Sequence, residues 1–137
     1  MKNKTCVILG NQLFKPEILR ANGFTHIYMA EDFGLCTYQK HHKKKIYLFL
    51  CAMREYRDEL EQCGFEVSYF ELKDRKDGLD YVKFLLKFAR TNDITQLSFF
   101  EIEDKKFELE ILCKKKSIPL KIFIVFKSIN LIQVNIL

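Results

Sequence analysis

Two histidines and four lysines crowd into the stretch TYQKHHKKKIYLFLCAMREY, where Lys40, His41, His42, Lys43, Lys44 and Lys45 precede a long amphipathic pattern. Residue types of this kind bind metal ions, contact phosphates or line a pocket for an anionic or polar ligand. Metal chelation is disfavoured by the spacing. On a helix, adjacent side chains point about 100° apart, so His41 and His42 do not converge on one ion. No third ligand follows at a zinc-site interval. A nuclear signal is disfavoured because the basic run feeds into a helical stripe and not into a flexible arm. A solvated lysine run and a pocket wall containing His42 and a lysine remain the two readings. The lysines fall in the first turns of a helix, where positive charge opposes the helix dipole. Such a local conflict marks a candidate site.

A second set of polar groups stands at the ends of apolar runs. Gly10, Asn11 and Gln12 follow TCVIL, Glu31 and Asp32 follow HIYMA, Glu71 follows FEVSYF, and Glu101 follows QLSFF. These are either solvated strand ends or ligand contacts; for Glu71 the solvated end is the better reading. Neither G-x-x-x-x-G-K-[ST] nor G-x-G-x-x-G occurs, so a P-loop and ordinary dinucleotide binding are disfavoured. No nucleophile–base pair, carboxylate dyad or metal cluster is visible in the spacings, so the chain reads poorly as an enzyme on its own.

The elements that must position these groups alternate. TCVILG is a buried-strand run ended by Gly10. KPEILRAN is a short helix, with Pro16 in its first turn and Gly23 beyond its end. HIYMAED is a second strand. A long helix spans about Gln39 to Cys63, with Ile46, Phe49, Leu50, Met53 and Leu60 as an apolar stripe and Arg54, Glu55, Asp58 and Glu61 opposite. FEVSYFE, QLSFFE and LKIFIVF are further strands. They are separated by helices over GLDYVKFLLKFART and DKKFELEILCKKKS. This β-α alternation predicts an α/β, Rossmann-like three-layer sandwich with a mainly parallel five-stranded sheet. In such a sheet ligands bind outside the carboxyl ends of the strands, where strand order reverses. The expected domain covers residues 1–126, and residues 127–137 form a divergent apolar tail.

The totals agree with one domain. The chain has 137 residues, 48% of them hydrophobic and 30% charged, with a formal charge of +5. No apolar run approaches the ~18 residues of a membrane span. The first apolar run is short and lacks a small-residue cleavage site, so no secretory signal is expected. Cys6, Cys36, Cys51, Cys63 and Cys113 are odd in number and contain no C-x-x-C. Reduced thiols in a cytoplasmic protein are expected. The positive charge mildly favours anionic partners. One reading is therefore a basic nucleic-acid module using Lys40, Lys43, Lys44, Lys45 and the lysines at 114–116.

VILGNQL, the glutamate after the second strand, TYQKHHKKKIYLFLCAMREYRDEL and GFEVSYFEL together resemble the N-terminal domain of the deoxyribodipyrimidine photolyase-related family. These are iron–sulfur bacterial cryptochromes and photolyases, including prokaryotic (6-4) photolyases. The resemblance is strong from about Thr5 to Leu72 and weak to about Phe123. It implies an α/β domain that carries an antenna chromophore, 6,7-dimethyl-8-ribityllumazine in character. FAD, the DNA contact and a four-cysteine iron–sulfur cluster are implied only for a helical region beyond this chain. The chain would then be an antenna module working with a separate or lost FAD-binding domain, or a truncated, inactive remnant. Carried over by position, the cofactor-binding residues are Gly10, Asn11, Gln12, Glu31, Tyr38, His42, Lys45 and Phe49. The chain departs from the family where Asn11 replaces an aspartate and Leu35 an acidic residue. The turn after the fourth strand reads FFEIEDKK without the family's Pro-Gly.

Overall fold

Alternating and continuous apolar runs collect into one sheet in the computed structural model, which describes residues 4–10, 12–32, 43–75, 78–102, 104–114, 120–125 and 133–136. Strands β1 (Lys4–Val7), β2 (His26–Ala30), β3 (Glu66–Phe70), β4 (Gln96–Phe100) and β5 (Lys121–Val125) run parallel, as expected. Helices α1 (Pro16–Ala21), α2 (Lys43–Gln62), α3 (Tyr81–Thr91) and α4 (Lys105–Lys114) alternate with them. The sheet order is β3-β2-β1-β4-β5-β6. The last strand, β6 (Gln133–Ile136), pairs antiparallel with β5, from Ile122 opposite Ile136 to Val125 opposite Gln133. The segment expected to be an appendage beyond residue 126 therefore supplies an antiparallel edge strand, a common finish to an otherwise parallel sheet.

Strand alternation sends side chains to two layers. Val7, Tyr28, Leu97, Phe99 and Ile122 pack under α3 and α4, against Val82, Leu85, Leu86, Ala89 and Ile111. Cys6, Ile8, Ile27, Met29 and Phe100 pack under α1 and α2, against Leu19, Met53, Tyr56 and Leu60. Helix α3 starts where the Asp80 side chain accepts a hydrogen bond from the Lys83 N–H at 2.8 Å, a standard N-cap. Helix α2 ends at Gly64, whose φ of +92° lets the chain reverse. The Phe65 N–H then reaches back to the Leu60 carbonyl at 3.0 Å, satisfying a helix-end acceptor.

The fully buried His26 ties three strands together. Its Nδ1 lies 2.7 Å from the Thr5 hydroxyl on β1, and its Nε2 lies 2.8 Å from the Ser68 hydroxyl on β3. Its ring also stacks near Phe88 of α3, centroid to centroid 6.2 Å. His26→Leu keeps the volume but removes both hydrogen bonds. It is expected to lower stability by about 2 kcal/mol, read from denaturant unfolding as a lower midpoint at unchanged slope.

Candidate functional site

Strand order reverses between β1 and β4, because the chain goes from β1 outward to β2 and β3 before crossing back to β4. The carboxyl ends of β1 and β4 therefore flank the crevice in which sheets of this type bind ligands. Gln12 bridges it. Its Nε2 donates to the Glu101 carbonyl at 2.8 Å, beyond the end of β4. The side chain is almost fully buried, and its Oε1 has no hydrogen-bond partner among the described residues. A buried amide oxygen left unpaired is costly and uncommon, and it marks a place where a donor would be stabilising.

Gly10, two residues before Gln12, meets α2. A Cβ placed on Gly10 would lie 2.5 Å from Phe49 Cζ and 3.0 Å from Met53 Sδ. The Phe49 ring thus rests on bare backbone. Lys45 is exposed one turn earlier on the same side of α2, at the i, i+4 spacing that aligns side chains along a helix. Gly10 and Phe49 are therefore brought together beyond β1, Gln12 reaches across to the end of β4, and Lys45 lies one turn before Phe49 on α2. Asn11, Tyr38 and His42 lie outside the described residues, as does Leu35.

Glu31 is at the same edge but faces inward. Its side chain is fully buried. Arg54 grips it in a two-point fork, Nε to Oε2 at 2.7 Å and Nη2 to Oε1 at 3.0 Å. The Tyr69 hydroxyl donates to Oε2 at 2.5 Å, and the Leu72 N–H donates to Oε1 at 3.1 Å. Two hydrogen bonds on each oxygen fill the acceptor capacity of a carboxylate. Burial alone pushes this carboxyl up. The hydrogen bonds from Arg54, Tyr69 and Leu72, with the Arg54 charge, outweigh burial and hold it below the usual carboxylate value. Glu31 is therefore a bracket that fastens β2 to α2, β3 and the 3₁₀ turn Leu72–Asp74.

The next residue repeats the arrangement on the other face. Asp32 pairs with Arg75 at 3.0 Å, and Arg75 also donates to the Glu31 carbonyl at 3.0 Å and lies over the Phe84 ring. Neighbouring side chains on a strand point to opposite faces. One Glu-Asp dipeptide thus anchors both helical layers. Glu71, by contrast, caps the 3₁₀ turn reciprocally with Asp74, which is a structural task.

Arg54, Tyr69 and Arg75 did not emerge from the sequence as site residues. Arg54 reads there as part of the solvent face. It lies at the edge of the stripe, where helical spacing alone does not separate inward from outward. Among the described residues, no three His, Cys, Asp or Glu side chains gather for a metal. No described helix is long and apolar enough to cross a membrane. A groove of about 630 Å³ lies elsewhere, between Leu13 and the second half of α2, and none of the residues carried over by position lines it.

The match to known proteins extends across this whole edge. The family model for "Deoxyribodipyrimidine photo-lyase-related protein" matches residues 6–128. The chain belongs to this photolyase-related family. A (6-4) photolyase from Agrobacterium fabrum (strain C58 / ATCC 33970) is 36% identical over 72 residues. That alignment covers 50% of this chain and 14% of the Agrobacterium protein. The chain therefore corresponds to a small part of that photolyase, and the matched family region contains the Gly10–Gln12 turn, Glu31 and all of α2.

Two outcomes are expected of this photolyase-related site. Gly10→Ala should displace Phe49 and cost roughly 1 kcal/mol, yet be close to neutral in a Phe49→Ala background. A double-mutant cycle on urea unfolding measures that coupling. For Glu31 the folded pKa is depressed, so its stabilisation is present above the unfolded value near pH 4.5 and lost as pH falls through the folded one. Wild-type stability should fall below about pH 4.5, whereas Glu31→Gln should be flatter there and roughly 2 kcal/mol less stable at pH 7. Parallel pH slopes for the two proteins would exclude this role.

Proposed function

We propose that this chain is the chromophore-binding, light-harvesting domain of a photolyase-related protein. It would collect light for a FAD-dependent DNA-repair or photoreceptor module carried on a separate helical region. The observation that carries the reading is Gln12, which holds a buried amide oxygen, unpartnered among the described residues, over the switch point and two residues after Gly10. A ribityllumazine is a flat bicycle with imide and carbonyl groups. Its ring N–H would supply the donor that Gln12 Oε1 lacks, and its face would lie against the Phe49 ring that covers Gly10. Phe49 offers an apolar surface for the ring. Lys45, and by position His42, Tyr38 and Asn11, would meet carbonyls or ribityl hydroxyls. Glu31 would serve indirectly, by fixing the pitch of α2 through Arg54.

The residues present thus fit the pteridine-like group. When bound, that group supplies near-ultraviolet absorption and excited-state energy. The protein's part is to orient it and exclude water and quenchers. Catalysis is not required of such a domain. Binding to the native state would also raise stability.

Titration of the purified chain with 6,7-dimethyl-8-ribityllumazine tests this. A bound absorption band, quenched or shifted fluorescence and a higher Tm are expected. Gln12→Leu and Phe49→Ala should each weaken binding by roughly tenfold. Absence of both band and Tm shift, in a chain that unfolds cooperatively, would reject the reading. A Tm shift with duplex DNA, lost steeply as salt rises, would instead support the basic nucleic-acid module.

A further inference from the structure

The sheet ends at β6, and the chain around that strand lacks the features that usually close an edge. Among the described residues β6 is bonded on one side alone, to β5. Alternate residues of a strand bond to a given neighbour, so the remaining backbone N–H and C=O groups of β6 face away from the sheet. Natural edges are commonly blunted by charge, proline or a bulge. The opposite edge follows that rule: β3 begins at Glu66 and runs into the turn that holds Lys73 and Asp74. From Ser128 to Leu137, by contrast, there is no charged residue, proline or glycine. An uncharged segment rich in isoleucine and valine, on an open edge, is a template for pairing with another strand.

Register says which strand fits. Val134 and Ile136 stand opposite Ile124 and Ile122 of β5, and Gln133 and Asn135 stand opposite Val125 and Phe123. Ile122 and Ile124 are almost fully buried, so apolar and amide-bearing positions alternate along β6 in step with the sheet. A two-fold axis normal to the sheet keeps each alternate row on its own side. With that axis at Val134, a second β6 runs antiparallel to the first. Val134 then stands opposite Val134 of the second copy, and Gln133 opposite Asn135 of the second copy. Apolar meets apolar and amide meets amide, at the spacing where cross-strand pairs stabilise a sheet. The strand is thus its own complement.

We propose that the β6 edge is a self-association surface, on which a second copy of the chain lays its own β6 antiparallel about a two-fold axis at Val134, joining two sheets into one. Strands of four residues exchange few backbone hydrogen bonds, and their contact is small beside the ~1,200 Å² of a standard interface. The dimer is therefore weak and concentration-dependent. With no charge on the paired strands, it responds little to salt.

Sedimentation equilibrium of the full chain, from about 5 to about 500 μM, tests the proposal. A monomer–dimer equilibrium is expected. Two double variants share Gln133→Lys, so any folding cost of that substitution is common to both. Gln133→Lys/Asn135→Lys sets like charges opposite one another across the axis and should raise the dimer Kd by roughly tenfold. Gln133→Lys/Asn135→Glu sets opposite charges there and should hold Kd near the wild-type value. A cysteine on the axis meets its own copy at the ~4.5–5.5 Å Cα separation of opposed residues, which a disulfide spans. In a Cys51→Ser/Cys113→Ser background, Val134→Cys should therefore oxidise to a dimer linked at position 134, identified by peptide mass, whereas Ile136→Cys should not link to itself. A monomer throughout the range would overturn the proposal. So would open-ended aggregates in place of dimers, equal Kd values for the two double variants, or equal cross-linking at 134 and 136. The assay needs no chromophore, so its outcome is independent of ligand binding at Gln12 and Phe49.

Discussion

A single buried carboxylate organises the working edge of this fold. Glu31 leaves β2 pointing into the α2 layer, where an unpaired charge would be strongly disfavoured. Four hydrogen bonds offset that desolvation, and they come from three places: two from Arg54 on α2, one from Tyr69 on β3, one from the Leu72 backbone. Geometry follows from this demand. Arg54 reaches the carboxylate only if α2 is turned so that Met53 and Phe49 bear on Gly10. The first strand turn, the long helix and the β3 end are thereby set relative to one another before any ligand is considered.

The opposite face repeats the device with Asp32 and Arg75, so the carboxyl end of β2 is pinned in both layers. The proposed ligand site would draw on this rigidity. A ligand at a switch point depends on groups from several strands keeping their spacing. Gln12 contributes in the same manner, binding the β1 turn to the backbone beyond β4 while leaving one amide oxygen unused. The Glu31 carboxylate, whose acceptor capacity is filled, holds shape, whereas the Gln12 amide oxygen can still accept a partner.

Helix α2 serves two directions at once. Its inner side supplies Phe49, Met53, Tyr56 and Leu60 to the Gly10 contact and the core. Its outer side carries an apolar step between charges of opposite sign. Those charges are partly met within the chain, as where Arg57 pairs with Asp58 at 2.9 Å.

The architecture was legible from the chain because buried parallel strands and amphipathic helices leave periodicities of their own. TCVILG, HIYMA, QLSFF and LKIFIVF are apolar because both sheet faces are covered, and Tyr81, Val82, Leu85, Leu86 and Ala89 recur because one side of α3 is. Family likeness singled out Gly10, Gln12 and Phe49; Gly10 lies against Phe49, and Gln12 reaches the backbone beyond β4. What the residues around Glu31 do was not legible, since an ion pair depends on distance across elements and not on spacing within one. Arg54 sits at the border of a helical stripe, Arg75 in a connecting segment, and Tyr69 in an alternating strand where its hydroxyl could face anywhere. The β6 pairing was hidden likewise, because an edge strand borrows its partner from the sheet already formed. Periodicity is a local property written into the chain. The pairing of charges and the closing of edges are decided only when distant segments pack, because there the cost of burying a polar group must be met by whichever donors the fold brings near.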